Sequence, residues 1–555
     1  MRKMAIRPLG VVLVGASLAL LVDHAVVASH DDDGFKPGNL VVSRSVYAGN
    51  ANIVTAGDTL PPGCVPGNVN IPLIAGGSTP VAVTCTKAIA NGTYPGVFNN
   101  NTVDGSFGVT SPIFLDQITK HGDLVNTLPI DPSEIVTSFS SKSELALNLS
   151  DDRRSITFVG YRGGSGFPTG PNHLDVSNSN TPGVVDLSNP VVSQYYRSVA
   201  EVDDQGQVKI TEGNAYSGNN GRAAIKAGGL YYMTGNNNNG GLSKTQLLTT
   251  TTGRDLVNST GVELLFPGQS APVPPNIDMI GMFSVTSLGY PADKAGKDNN
   301  FRGLTIFDHT LYVTKGSGGN GINTVYQVGD AGTLPTPANA PGGNLKNVPI
   351  TILPGLWTGL ASNVTAPLPR FPFGIWFANA KTLYVADEGD GTIANAGSDR
   401  LSGLQKWVFD GTTWNLAYTL QAGLDLGVTY HVPNGPGQAP YPDPATDGIR
   451  NLTGSANGDG TVTIWAITST VSASGDQGAD PNRLVVIKDR LKATTLPGNE
   501  RFQTLRSAGY GEVLRGVSFT PGTGVCGNGQ GNGQGDNNQG NQDNQGGCGQ
   551  NQQDQ

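Results

Sequence analysis

The chain has 555 residues and a formal net charge of −9, with only 14% charged residues against about 25% in average soluble domains. Its 78 Gly and 36 Pro residues make up roughly one residue in five, which is typical of a chain with many turns. This composition excludes a collagen, a coiled coil and a polytopic membrane protein, and the acidic balance argues against binding to nucleic acid or anionic lipid.

The N-terminus predicts export. Residues 1–28 have a basic start, an apolar stretch over residues 9–22, and small residues at Val26 and Ala28, which together are typical of a secretory signal peptide. An uncleaved anchor is the alternative. No other segment is long and apolar enough to span a bilayer, so we expect a secreted protein, extracellular or periplasmic, with no membrane insertion. We also expect a monomer.

Four cysteines form two local pairs, and we predict the disulfides Cys64–Cys85 and Cys526–Cys548. Each bridge would close one irregular segment, as disulfides of exported proteins do. Two other connectivities of the four cysteines are possible. A zinc site is a further alternative, but the close C-x-x-C spacing of such sites is missing.

Between residues 38 and 521 the most informative signal is internal repetition. Apolar strands that end in Gly-rich or polar loops recur at residues 229–235, 310–316 and 382–387, with looser copies at 155–160 and 461–468. A short strand precedes each copy. These short strands begin at residues 145, 223, 303, 374, 449 and 516, which are 67 to 80 residues apart.

Strand-like pairs also follow the copies, such as residues 404–409 and 413–420, which are joined at Asp410-Gly411, a hairpin turn signal. Each unit therefore predicts four antiparallel strands, and such units repeated around an axis form a β-propeller. The predicted fold class is all-β with six blades. An open sandwich is the alternative, although it does not predict the near-constant spacing.

The sixth copy supplies only an innermost strand, at residues 514–520. Segments 39–47, 112–118 and 124–130 would supply the other three strands, so the two ends of the chain would share one blade and protect its edges. The propeller domain then covers residues 38–521, with residues 48–111 as an insertion in the shared blade. Residues 522–555 are rich in Gly, Asn, Gln and Asp and predict a disordered low-complexity tail.

The segment Leu383-Tyr384-Val385-Ala386-Asp387 resembles an NHL-type propeller repeat over about eight residues. The plan as a whole is similar to the six-bladed lactonase and strictosidine-synthase-like propellers. That resemblance implies the fold and a metal in the central channel, but it identifies no ligand residues in this chain. The repeat departs from the NHL pattern after Gly389-Asp390-Gly391-Thr392.

Polar residues recur where the innermost strands begin. The shared motif Asn-Asn-x-Arg occurs at residues 219–222 and 299–302, and arginines stand at the equivalent positions of two other units. Arg suits anions and Asn suits sugar hydroxyls, so these residues predict a site for a polyhydroxyl or anionic ligand on the channel face. The alternative is that they hold adjacent blades together. The candidate ligand residues are Asn219, Asn220, Arg222, Asn299, Asn300, Arg302, Arg450 and Arg515.

Three carboxylates lie within four residues at Asp387, Glu388 and Asp390. They repel one another unless a cation or a neutral group intervenes, and Ca²⁺ takes six to eight oxygen ligands. We therefore regard them as a candidate calcium site, with solvated loop acids as the alternative. No motif for nucleophilic catalysis occurs, and whether the chain is an enzyme stays open.

The sequence is compatible with three functions. The first is a secreted propeller that binds a small molecule or glycan on its channel face. The second is a metal-dependent hydrolase or lactonase of the same fold. The third is a surface scaffold that displays the Gln/Asn-rich tail.

Overall fold

The computed structural model describes residues 34–47, 55–61, 63–72, 77–88, 110–139, 144–163, 179–182, 189, 191, 194–236, 261–268, 277–291, 298–316, 319–363, 371–435, 437–472 and 480–524. The predicted signal peptide, the Cys526–Cys548 pair and most of the predicted tail lie outside these residues. The described residues all belong to one compact unit, which begins at residue 33.

The chain enters the fold at β1 (Leu40–Val46), whose burial reflects the apolar and small side chains along it. The insertion that follows contains β2 (Thr59–Leu60), β3 (Gly67–Pro72), β4 (Ser78–Val83) and β5 (Thr86–Lys87), arranged as two separate antiparallel pairs, β2 with β5 and β3 with β4. The disulfide Cys64–Cys85 joins this segment, which confirms the prediction for the first cysteine pair.

The next strands complete one blade and begin another. They are β6 (Thr110–Ser111), β7 (Ile113–Ile118), β8 (Leu124–Ile130), β9 (Ile135–Ser138), β10 (Asn148–Leu149), β11 (Ser155–Arg162), β12 (Arg197–Asp203) and β13 (Val208–Gly213). Blade 1 is the sheet β13-β12-β11-β9-β6, in which β10 also pairs with β11. Its innermost position is divided, because β10 pairs with one half of β11 and β9 pairs with its other end. The predicted innermost strand at 145–149 is therefore a strand only at its last two residues.

Four regular blades follow, each with its strands in sequence order. Blade 2 contains β14 (Gly221–Ala227), β15 (Leu230–Gly235), β16 (Val262–Leu265) and β17 (Ile277–Met279). Blade 3 contains β18 (Leu304–Phe307), β19 (Thr310–Lys315), β20 (Thr324–Val328) and β21 (Ile350–Ile352). Blade 4 contains β22 (Pro372–Asn379), β23 (Thr382–Asp387), β24 (Gly403–Phe409) and β25 (Trp414–Leu420). Blade 5 contains β26 (Ala445–Ala456), β27 (Thr461–Val471), β28 (Arg483–Arg490) and β29 (Gln503–Ser507).

Helices among the described residues are short and lie in connections: 3-10 turns at Val285–Leu288, Pro341–Gly343 and Leu345–Asn347, and one α-helical turn at Ile393–Ala396. No helix in these parts of the chain is long and apolar enough to cross a membrane.

Blade 6 closes the ring. Its order is β30 (Glu512–Phe519), β1, β7, β8, so the last strand of the chain lies innermost and the three N-terminal strands complete the blade. Leu40 pairs with Phe519 on one side of β1 and with Ile118 on the other. The six-bladed propeller and its shared blade are thereby confirmed, and the open sandwich is excluded.

Apolar packing and buried hydroxyl groups join neighbouring blades. One core cluster, for example, combines Tyr384 and Leu404 of blade 4 with Ile449 and Ile464 of blade 5. Threonines of the second strands also donate hydrogen bonds to backbone carbonyl oxygens on, or just before, the innermost strand of the next blade. These bonds run from Thr157 to Ala224 (2.7 Å), from Thr234 to Arg302 (3.3 Å) and from Thr314 to Phe373 (2.5 Å).

Candidate functional site

We call the face where the innermost strands begin the start face, and the opposite face the end face. A cavity of 1270 Å³ occupies the end-face half of the central channel. All six blades contribute to its wall. The innermost strands place the following residues there: Leu149, Ile225, Ile306, Trp376, Ser455 and Phe519.

The rim of this end-face cavity is formed by turns and by both ends of the propeller domain. Lys120 and His121 come from the β7–β8 turn, Asp151 and Arg153 from the turn before β11, and Asp308 and His309 from the β18–β19 turn. Asp151 accepts a hydrogen bond from the Gly228 N–H at 3.1 Å. These rim charges consist of two cations, two carboxylates and two imidazoles, so the mouth carries no strong excess of either sign.

Trp376 is the largest aromatic side chain in the cavity wall. Its ring stacks on Tyr384, with centroids 5.7 Å apart and planes 27° from parallel. Gly454 of blade 5 lies directly against the same ring, because a Cβ at that position would come within 2.6 Å of it. The indole is thus held between two blades and remains half-buried, with part of its surface toward the cavity.

The predicted arginines lie elsewhere. Arg222, Arg302, Arg450 and Arg515 are only 3–5% exposed and do not line the cavity. Arg450 Nε donates to Glu388 Oε2 at 3.1 Å, and the Arg515 guanidinium donates to Ser45 Oγ at 3.1 Å and to the carbonyl of Phe139.

Burial and nearby charges lower the pKa values of two of these arginines. Burial, with the charge of Arg302, lowers the pKa of Arg222 well below its ordinary value. Burial also lowers the pKa of Arg302 to about 10, although Glu388 opposes the change. These groups form a buried layer in which guanidinium and carboxylate charges offset one another, and their role as ligand contacts stays a prediction.

Three of the four predicted asparagines have structural contacts. The backbone carbonyl of Asn219 accepts a hydrogen bond from Arg197 Nη2 at 2.6 Å, and Asn220 Nδ2 donates one to Glu144 Oε1 at 3.2 Å. Asn299 exchanges two hydrogen bonds with the backbone of Phe283, each at 3.2 Å. Among the described residues, Asn300 Oδ1 has no hydrogen-bond partner. The repeated motif thus holds loops and blades together at least at these three positions.

Sequence reasoning missed a buried polar group around Glu144. This carboxylate accepts hydrogen bonds from Thr137 Oγ1 at 3.0 Å, from Asn220 and from the Tyr161 hydroxyl. Arg197 packs over the Tyr161 ring at 4.8 Å and is fully buried. Glu144 and Tyr161 were visible only as polar residues near predicted strand ends, and no spacing signal linked them.

The three candidate calcium ligands engage different partners. Asp387 accepts from the N–H groups of Phe371 (2.9 Å) and Gly389 (3.1 Å), Glu388 pairs with Arg450, and Asp390 accepts from Thr392 N–H at 2.8 Å. Within the described ranges, no group of three or more His, Cys, Asp or Glu residues is arranged to hold a metal ion. The calcium site therefore stays a prediction without a preformed set of ligands.

A further buried acid, Asp447, lies over this loop and was not predicted as a site residue. Its Oδ2 accepts from the Gly391 N–H at 2.7 Å, while Oδ1 has no hydrogen-bond partner within the described residues. Burial raises the pKa of Asp447 to about 7 and that of Asp387 to about 8. The region can therefore take up protons near neutral pH.

Comparisons with known proteins add little. No family model and no curated protein match the chain. The acylaminoacyl peptidase of Pyrococcus horikoshii in its orthorhombic crystal form aligns at 8% identity over 84% of this chain and 50% of its own, with a TM-score of 0.28. The uncomplexed form aligns at 10% identity over 80% and 48%, with a TM-score of 0.26. This chain spans about half the length of those peptidase chains, and similarity at this level carries no argument about activity.

Proposed function

We propose that this protein is a binding propeller that takes a polyhydroxyl ligand, such as an oligosaccharide, into the end-face cavity. The observation that carries the proposal is the cavity itself: one concave space, walled by all six blades, with a half-buried tryptophan in its wall. Concave sites with aromatic walls and a few polar groups at fixed positions are the usual form of small-ligand sites.

The size of the cavity favours an extended ligand. Typical small-molecule pockets measure about 300–1,000 Å³, and this cavity measures 1270 Å³. A single sugar would leave much of it filled with water, whereas a short chain of sugars would contact several blades at once. Trp376 offers a flat apolar surface for a sugar ring, and the rim offers hydrogen-bond donors and acceptors for hydroxyls.

A neutral ligand agrees better with the charges than an anion does. The rim carries both signs, and the arginines that would attract an anion are buried outside the cavity wall. The Cys64–Cys85 disulfide supports placement in an oxidising compartment.

Binding to a microarray of neutral oligosaccharides, with sulfated and carboxylated ones as separate arms, tests this function. Trp376→Ala should weaken binding of the neutral hits by about tenfold or more, the loss expected when an aromatic anchor is truncated. The matched control is Trp357→Ala, another half-buried tryptophan that does not line the cavity, and it should bind as the wild type does.

Two results would overturn the proposal. One is a wild-type protein that binds no neutral oligosaccharide. The other is binding that Trp376→Ala leaves unchanged. Hits confined to the charged arms that are lost in Arg222→Ala or Arg302→Ala would favour an anionic ligand at the start face instead.

A further inference from the structure

The turn between β18 and β19 has an unusual backbone for its residues. It is a two-residue hairpin turn, since Phe307 pairs with Thr310, and the two residues between them are Asp308 and His309. Their φ angles are +46° and +51°. Positive φ at both positions is the type I′ pattern, in which Asn-Gly, Asp-Gly and Gly-Gly are preferred. A Cβ carries a steric cost there, which is smaller for Asn, Asp and His than for other side chains.

Blade 2, one of the two neighbours of blade 3, provides an internal comparison. Its β14–β15 turn occupies the same place and also has two residues, Gly228 and Gly229, with φ angles of +55° and +78°. Blade 2 thus meets the same backbone requirement with glycines. Those glycines do not line the end-face cavity, whereas Asp308 and His309 do.

Both side chains are exposed and available. Within the described part of the chain, neither the Asp308 carboxylate nor the His309 imidazole makes a side-chain hydrogen bond, and the Asp308 carbonyl alone accepts one, from Thr310 Oγ1 at 3.1 Å. The turn is supported from below, because Phe307 stacks on Phe377 of blade 4 with centroids 4.9 Å apart and planes 16° from parallel. Two polar groups whose side chains make no hydrogen bond within the described residues therefore lie at the cavity mouth, above this aromatic stack.

We infer that Asp308 and His309 determine specificity in the end-face cavity, where they hydrogen-bond hydroxyl groups of a bound oligosaccharide. The Asp308 carboxylate can accept from two adjacent hydroxyls, and the His309 imidazole can donate to or accept from a third. Strained backbone at a cavity mouth is a recurrent property of binding sites, where a side chain is needed at a position that favours glycine. This inference rests on the proposed function and adds the residues that select the ligand.

The test is the double variant Asp308→Asn/His309→Gly, which gives the turn the residues that its backbone prefers. We expect its thermal midpoint to rise while its affinity for the neutral oligosaccharides of the microarray falls about tenfold or more. The matched control, Gly229→His, places the same imidazole on the β14–β15 turn and leaves Gly228, whose N–H binds the rim residue Asp151, unchanged. Its thermal midpoint should fall, and its binding should equal that of the wild type.

The outcomes separate the two proposals. If Asp308→Asn/His309→Gly binds as tightly as the wild type while Trp376→Ala loses binding, the inference about the turn is overturned and the proposed function stands. If neither variant changes binding, or the wild type binds no neutral oligosaccharide, both are overturned. A loss in the turn variant together with unchanged binding in the glycine-turn control supports the inference.

Discussion

Asp447→Asn should stabilise the protein at alkaline pH and much less at acidic pH. Asp447 is only 1% exposed, and its Oδ1 has no hydrogen-bond partner among the described residues. Asparagine keeps an oxygen that can accept from the Gly391 N–H and removes the charge. In the wild type, burial and repulsion from Asp390 and Glu388 favour the protonated acid. Asparagine removes this repulsion.

The expected change in unfolding free energy follows from the pKa of Asp447. Burial raises the pKa of Asp447 from 3.8 to about 7, so the folded protein holds a proton that the unfolded chain has lost between these values. Stability therefore falls as the pH rises through this window and is fully retained only below the unfolded pKa. At ~1.4 kcal/mol for each tenfold change, the penalty is at most about 1.7 kcal/mol at pH 5 and about 4 kcal/mol at pH 8. The variant should thus gain up to ~2.5 kcal/mol more at pH 8 than at pH 5.

Urea unfolding of wild type and variant at both pH values measures this difference. Burial also raises the pKa of Asp387 to about 8, so both proteins keep some pH dependence, and only the difference between them reports on Asp447. Asp330→Asn, a change at an exposed acid, is the control and should shift neither curve. An equal effect of Asp447→Asn at pH 5 and pH 8, or a loss of stability at pH 8, would refute the reasoning.

Two further predictions concern charges that join strands and blades. Lys406→Met should lower the free energy of unfolding by about 3–5 kcal/mol, because its buried partner Asp489 would lose its cation. Lys488→Met, at an exposed ion pair, is the control and should leave the urea midpoint unchanged. Equal midpoints for the two variants would contradict this. Arg44→Ala should destabilise the shared blade by about 2–3 kcal/mol, since Arg44 joins β1 to the buried Asp116 at 2.8 Å. Arg44→Lys should restore part of that loss, and amide exchange in β1 should report it. Unchanged exchange in Arg44→Ala would argue against this role.

The blades were predictable because their strands carry local signals. The apolar run and polar ending of residues 382–387 predict β23 with its observed bounds, and residues 124–130 do the same for β8. Closure of the ring followed from counting, since the last copy lacked three strands and the N-terminus had three to supply. The divided innermost position of blade 1 could not be predicted, because β9 is four residues long and its pairing with β11 depends on tertiary contacts.

The candidate site was harder to predict, for a physical reason. Polar residues that recur between blades can serve the scaffold: Asn219, Asn220 and Asn299 of the Asn-Asn-x-Arg motif hold loops and blades together, and the ligand role of the motif stays a prediction. Groups that contact one ligand need occur only once around a ring. The sequence does contain such a signal, since Gly228-Gly229 and Asp308-His309 fill the same two-residue turn in neighbouring blades and only the second pair reaches the cavity. A residue that disfavours the backbone of its repeat, at a position where the neighbouring repeat has glycine, indicates a demand from outside the scaffold. In a propeller, such departures between blades are therefore better guides to a binding site than the motifs the blades share.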